Sequence, residues 1–384
     1  MFPEFPQELV DEVIDHLWDD VTALRACSLS CSTWLPTSRT HLFRQVDLRD
    51  AAACARFTKL LEASPVLVQY IRKLSIDAHH FSYDLSSLRN GDSTWLPLVP
   101  PLLGALPRVT ELEMTSLNWR TLQLDPKHTE LFYSMLGNVK RLAFVNVHFE
   151  SSSDVLNILS AAKLVTELHL DRIYWNCWSW PIPDVLSETG EMTHCGYLQR
   201  IVLRSGSPPN AITDWLLATG SMLDLREVQV HWRERDSTKA LGALVRASGP
   251  RLERLYLELT NGVATQAAAN GDLDLAHLTG LRAVYFDGLV LPDCCEWITS
   301  MTAQLHSDRL EMIEVSLLAR WQDDLRAIDW VQLDKTLAHE RFACVTLIFK
   351  VNLAIYHANN QDDAGDIVRS ALPGFRGTLV VKYT

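Results

Sequence analysis

Ten times along this chain an apolar residue is followed three positions later by a second and, two positions after that, by a third. The sets are Ile71, Leu74, Ile76; Val109, Leu112, Met114; Val139, Leu142, Phe144; Val165, Leu168, Leu170; Leu198, Ile201, Leu203; Leu225, Val228, Val230; Leu252, Leu255, Leu257; Leu281, Val284, Phe286; Leu310, Ile313, Val315; and Cys344, Leu347, Phe349. Apolar residues two apart share one side of a strand, and the residues alternating with them share the other. The sets recur about every 26 to 38 residues, a period that marks a repeat architecture. Helix-like stretches lie between them, at 153–162, 212–219, 239–247, 293–305 and 329–339. Strand then helix, many times over, predicts an α/β chain of short parallel strands joined by helical crossovers. A doubly wound sheet shows a similar alternation, but spacing this even favours a stacked array.

The period falls near or somewhat above the upper end of the leucine-rich-repeat range, so the array resembles an irregular leucine-rich-repeat solenoid. One departure is plain. Three residues past the last strand apolar, where that repeat carries asparagine, stand Leu117, Val147, Ile173, Gly206, Arg233, Thr260 or Leu289. With no asparagine ladder, the curvature is expected to vary. Two stretches, Ile173 to Pro183 and Gly262 to Gly271, read as longer loop insertions.

The first 44 residues follow another rhythm. Leu9, Val10, Val13, Ile14 and Leu17 fall on one face of a helix opened by Pro6, with Asp11, Glu12 and Asp15 on the wet face. Asp19 and Asp20 supply a break and a candidate N-cap for a second helix through Leu24, Cys27 and Leu29. A third is expected around Cys31, Trp34 and Leu35, ending where Pro36 interferes.

In order and spacing, Phe5-Pro6-Gln7-Glu8-Leu9, Val13-Ile14, Leu17, Leu24, Leu29, Cys31, Trp34, Arg39 and Leu42-Phe43-Arg44 resemble the F-box motif of fungal F-box proteins. The match covers about a tenth of the chain. The resemblance implies a three-helix F-box over residues 1–48 and a leucine-rich-repeat-like solenoid over 49–384. It also implies docking of the Skp-type adaptor of cullin-RING ubiquitin ligases, with Phe5, Pro6, Leu9, Val13, Ile14, Leu17, Leu24, Leu29 and Trp34 as the adaptor-binding residues. Ser30 stands where the family has valine, and Ser32-Thr33 where it has a basic pair, which implies weaker docking. Apart from the family, about 40 residues enclose too little interior for this many apolar side chains, so an outside surface is expected to cover some. That surface is either a partner or the array itself, whose end needs a cap.

If the strand apolar residues point inward, the alternating ones line an open face that mixes both charge signs with tyrosine. This suits a protein target, and His169, Arg200, Arg204, His231, Arg254, Tyr256 and Tyr285 are the candidate target-binding residues, since arginine and tyrosine dominate binding hot spots. Tyr174, Trp175, Trp178 and Trp180 form a further aromatic cluster that more often packs inward than binds.

Other functions find little support. The net charge of −12, with 35 Lys and Arg against 47 Asp and Glu and no basic stripe, opposes nucleic acid and anionic membranes. Eight cysteines without a paired framework, and an acidic start in place of a basic and then apolar leader, point to a reduced cytoplasmic or nuclear setting. His79-His80, Cys294-Cys295 and Cys27 with Cys31 offer two ligands each, short of a metal site. Cys31 is expected to be buried and inert beside Trp34. Phosphate-loop, dinucleotide, acyl-transfer and zinc-protease motifs do not occur, so neither catalysis nor a cofactor is expected.

Overall fold

The computed structural model describes residues 6–78, 94–122, 124–175, 197–204, 209–218, 224–232, 238–292, 296–353 and 361–383. Phe5, His79-His80, Trp178, Trp180 and Cys294-Cys295 lie outside them. Contacts divide the chain into two units, Met1–Pro181 and Ile182–Thr384. Among the described residues, no helix is long and apolar enough to cross a membrane.

The first unit opens with helices α1 (Gln7–Asp15), α2 (Val21–Ser30) and α3 (Leu35–Leu42). It continues through β1 (Gln45–Leu48), α4 (Ala51–Ala63), β2 (Lys73–Asp77), α5 (Pro100–Leu103), β3 (Glu111–Thr115), α6 (Pro126–Leu136), β4 (Arg141–Phe149), α7 (Ser152–Ala161) and β5 (Glu167–Trp175). The second holds β6 (Arg200–Leu203), α8 (Pro209–Ala218), β7 (Glu227–Trp232), α9 (Thr238–Ser248), β8 (Arg254–Leu259), α10 (Asn261–Asn270), β9 (Ala283–Val290), α11 (Glu296–Ala303), β10 (Met312–Ala319), α12 (Trp330–Leu337), β11 (Thr346–Leu353), α13 (Gln361–Ala371) and β12 (Thr378–Tyr383).

Within each unit every strand pairs in parallel with its neighbours in sequence: β1 to β5 in the first, and β6 to β12 in the second. Consecutive crossover helices pack on one another, as α5 does on α6, α6 on α7, α8 on α9 and α11 on α12. Sequential strand order with helices side by side is the stacked arrangement, and it excludes a doubly wound sheet within either unit.

The sequence template marks the interior. The second and third apolar residues of all ten sets are buried, as are the first residues of nine. Cys344 is the exception: it is exposed, and Val345 fills the interior instead. Two strands escaped the template. β1 belongs to a set spelled Phe43, Val46, Leu48, which the F-box reading had absorbed, and β12 has Arg376 where the first apolar residue would stand. None of the residues of β12 is buried.

The position expected to hold an asparagine ladder is braced by carbon. Leu117, Val147, Ile173 and Leu289 are all buried there, each preceded by a residue of left-handed backbone: Ser116 at φ 54°, Asn146 at 56°, Arg172 at 52° and Gly288 at 81°. The left-handed residue adds one position to the strand and turns the next side chain inward, as a bulge does. In β7, β8, β10 and β11 that step is missing, and Trp232, Leu259, Leu317 and Val351 fill the interior one position earlier. Where the two strand types meet, between β9 and β10, the register shifts by one at Val315 and Leu317.

Two sequence expectations are corrected. The Ala/Asn/Gly run is no loop: it forms α10, whose Val263, Ala264 and Ala267 are buried and whose end is closed by left-handed Gly271. Alanine is the best helix former, and its small side chain lets the crossover lie close to the strands. Nor does Pro36 end a helix. It sits in the first turn of α3, where its missing N–H costs nothing.

At Gly242 on α9, an added Cβ would stand 1.8 Å from the Asp272 carbonyl oxygen. Backbone there cannot yield as a side chain can. Gly242→Ala is expected to destabilise the fold by roughly 2 kcal/mol or more, read as a lower midpoint in urea unfolding.

Candidate functional site

Two groups of side chains were singled out from the sequence, and the structure treats them differently. On the helical module, Val10, Ile14 and Leu24 form a small interior against which Leu17, Cys27, Trp34 and Leu42 pack. The helices are tied by polar contacts as well. Asp15 meets His41 at 2.7 Å, Asp11 accepts from Thr37 Oγ1 at 2.5 Å, and Asp20 caps α2 through the Ala23 N–H at 2.9 Å. Of the nine adaptor-binding candidates, then, Ile14, Leu17, Leu24 and Trp34 hold the module together. Leu9, Val13 and Leu29 face solvent at 45%, 57% and 88% exposure, and Pro6 is exposed at the start of α1. Sequence reasoning missed Trp18, 66% exposed in the turn after α1, and Val21 at the start of α2. The signal was present: Trp18 continues the four-residue spacing of Val10 and Ile14, and Val21 stands four residues after Leu17 and three before Leu24.

Cys31 is not buried. It sits at the extended C-terminal end of α2, exposed, with its Sγ 3.0 Å from Thr33 Oγ1, a hydrogen bond that lowers the thiol's pKa.

On the strand face, parallel register sets side chains in rows. In the first unit one row reads Lys73, Glu111, Arg141, Glu167 across β2 to β5. In the second it reads Arg200, Glu227, Arg254 across β6 to β8. Opposite charges on adjacent strands attract, so each row pins register. Glu227 is buried between two arginines: Arg200 Nε lies 2.8 Å from it as an ion pair, and Arg254 donates Nε at 2.9 Å with Nη2 at 2.8 Å. The hydrogen bond from Arg254 holds that guanidinium protonated more firmly than usual.

The next row carries Gln229, Tyr256, Tyr285 and Glu314. Tyr256 and Tyr285 occupy paired positions, and their rings stack at 3.8 Å between centroids and 6° between planes. Burial, and then the hydrogen bond with Tyr285, raise the Tyr256 phenol well above its ordinary pKa. A third row carries His231, Glu258 and Asp287, and beyond the register shift between β9 and β10 Ser316 stands beside Lys350. His231 Nδ1 lies 2.5 Å from Glu258, and Lys350 reaches back to Glu314 at 2.6 Å.

These rows enclose a groove of about 200 Å³ lined by Arg204, His231, Tyr256, Tyr285, Asp287 and Lys350, among others. It gathers four of the seven target-binding candidates. Arg200 and Arg254 stand beside it as clamps on Glu227, and His169 lies on β5 in the first unit. Of the aromatic cluster, Tyr174 and Trp175 are strand residues rather than loop, with Trp175 buried. Chemically, the groove offers two flat ring faces, carboxylates and cations, a surface suited to recognition.

No protein-family model matches the chain, and no curated protein matches it.

Replacing Glu227 by Leu leaves two arginines facing each other over a buried gap. Because both arginines are half exposed, water screens part of the cost, and a loss of about 2 kcal/mol is expected in urea unfolding. Tyr256 gives a pH prediction. Its folded-state pKa is raised, so the neutral form stabilises the fold below the ordinary phenol range, and that contribution is lost as pH rises through the folded value. Stability should therefore fall in strong alkali less steeply for Tyr256→Phe than for the wild type, as measured by thermal melting across the alkaline range.

Proposed function

We propose that this chain is the substrate-receptor subunit of a cullin-RING ubiquitin ligase of the SCF type. The first three helices act as an F-box that docks a Skp-type adaptor, and the leucine-rich-repeat-like array binds a protein target. The observation that carries this reading is the division of labour in the helical module. It encloses its own interior of Val10, Ile14 and Leu24 yet leaves Leu9, Val13, Trp18, Val21 and Leu29 in water. Leu9 and Val13 are one helical turn apart, the spacing with which a helix seats itself in a partner's groove. Three of these five, Leu9, Val13 and Leu29, fall on positions that the F-box resemblance assigns to the adaptor. Glu8, Glu12, Asp15, Asp19 and Asp20 are exposed along the same stretch of chain, a polar complement to these apolar residues.

On this reading the protein brings no reacting group to ubiquitin transfer. It holds the target beside a separate catalytic subunit, and raised local concentration does the rest.

A second reading is favoured by the short step from module to array. α3 ends at Leu42, and β1, already paired with β2, begins at Gln45. The helices would then cap the array of an interaction scaffold with no ubiquitin role.

Exposure separates the two. The combined variant Leu9→Glu, Val13→Glu, Leu29→Glu touches no interior residue, so its melting temperature should match the wild type. Its binding to purified Skp-type adaptor should fall more than about 100-fold, since buried interface anchors each contribute about 2 kcal/mol. Adaptor binding that survives the triple change, or is missing from the wild type, refutes the ligase reading. Ile14→Glu, by contrast, should unfold the module.

A further inference from the structure

In the register rows Lys73, Glu111, Arg141, Glu167 and Arg200, Glu227, Arg254 the sign of charge alternates from strand to strand. β8 and β9 break that alternation. Glu258 and Asp287 occupy directly paired positions, so two carboxylates stand side by side where like charges oppose folding. His231 compensates the first, at 2.5 Å from Glu258. Asp287, exposed in the groove, accepts the N–H of Gly288 at 2.7 Å and has no cation beside it among the described residues. The other cations of the groove are engaged or distant: Lys350 reaches Glu314 at 2.6 Å, and Arg204 stands at the end of β6, three strands away. Gly288 fixes the arrangement. Its φ of 81° is one that glycine adopts freely, and a Cβ there would stand 2.9 Å from the Leu259 carbonyl oxygen and 3.4 Å from Glu258 Cγ.

We infer that Asp287 receives a lysine or arginine side chain of the protein target, with the neighbouring tyrosines as the bed for its aliphatic stem. This deepens the proposed function and rests on its target-binding half, not on the adaptor. Tyr285 precedes Asp287 by two residues and Tyr256 precedes Glu258 by two, so the stacked rings share the carboxylates' side of the sheet, roughly 7 Å along the strands from them. A lysine or arginine stem covers that distance. Its charge offsets the repulsion between Glu258 and Asp287, and its head donates a charge-assisted hydrogen bond to the Asp287 oxygen that Gly288 does not hold. Local rules of this kind are broken at functional sites, where binding supplies what folding gives up.

The test is selection of a heptapeptide library, randomised at every position, on the immobilised full-length protein. Wild type should enrich one basic position, whose arginine or lysine content identifies the preferred head group, and the winners should bind more weakly as salt is added. Asp287→Asn keeps the oxygen that accepts from Gly288 and removes the like charge. It should therefore melt at or above the wild-type temperature while binding the winners roughly tenfold more weakly in fluorescence anisotropy. Asp287→Lys should replace the basic position by an acidic one. Lack of basic enrichment, or winners that bind both Asp287 variants as tightly as the wild type, overturns the inference. A melting temperature several degrees lower for Asp287→Asn overturns it too, because the carboxylate would then serve the fold. The combined Leu9→Glu, Val13→Glu, Leu29→Glu variant should select the same peptides as the wild type, so failure of the adaptor reading and failure of this site are told apart.

Discussion

The parallel hydrogen-bonded ladder is the constraint on which every other feature of the chain depends. Within each unit each strand pairs with its neighbour in sequence, so an apolar residue of the template sits directly beside its counterpart in the next repeat, as Leu255 sits beside Val284 and Leu257 beside Phe286. Stacking of this kind buries a continuous apolar core that no single repeat could enclose. The same register commits the alternating residues to the opposite face, in rows. A one-residue slip would turn Tyr256 and Glu227 inward and Leu257 outward, so the apolar stack that stabilises the fold also fixes the composition of the opposite strand face.

That coupling explains what was legible in the sequence. Ten of the strands announce themselves through a spacing that survives replacement of leucine by isoleucine, valine, methionine or phenylalanine, because burial asks only for carbon of about the right volume. β12 gave only part of the signal, Leu379 and Val381 without an apolar residue at Arg376, and none of its residues is buried. The pairing of Arg200 and Arg254 around Glu227 was not legible either. Each lies 27 residues from the carboxylate, and only the register brings them together. The helix Asn261–Asn270 was misread because glycine and asparagine suggest a loop, while the alanines between them decide the outcome by packing.

The helical module shows a different limit of sequence reading. Periodicity identifies which residues of α1 are apolar, but not which of two apolar faces is inside. Leu9 with Val13, and Val10 with Ile14, are both one turn apart. The structure gives the second pair to the interior. The deciding contacts come from α2 and α3, through Leu24 and Trp34, and from the polar ties of Asp11 to Thr37 and Asp15 to His41. Those ties fix the rotation of α1 about its own axis, and that rotation sends Leu9 and Val13 into water.

Exposed leucine is unremarkable singly, because folded proteins leave much apolar surface in solvent. What distinguishes this module is concentration. Two short helices and the turn between them expose Leu9, Val13, Trp18, Val21 and Leu29, while the strands of the array expose few large apolar residues along their lengths. In the array, selection for burial has a physical reason at every template position. On the module no intramolecular packing accounts for the exposed five, and a chain under pressure to remain dispersed gains nothing by keeping them. The proposed function supplies a reason, covering by another polypeptide, and it assigns the polar strand face to a different partner: apolar anchors on helices serve the one, paired charges and stacked rings on strands the other.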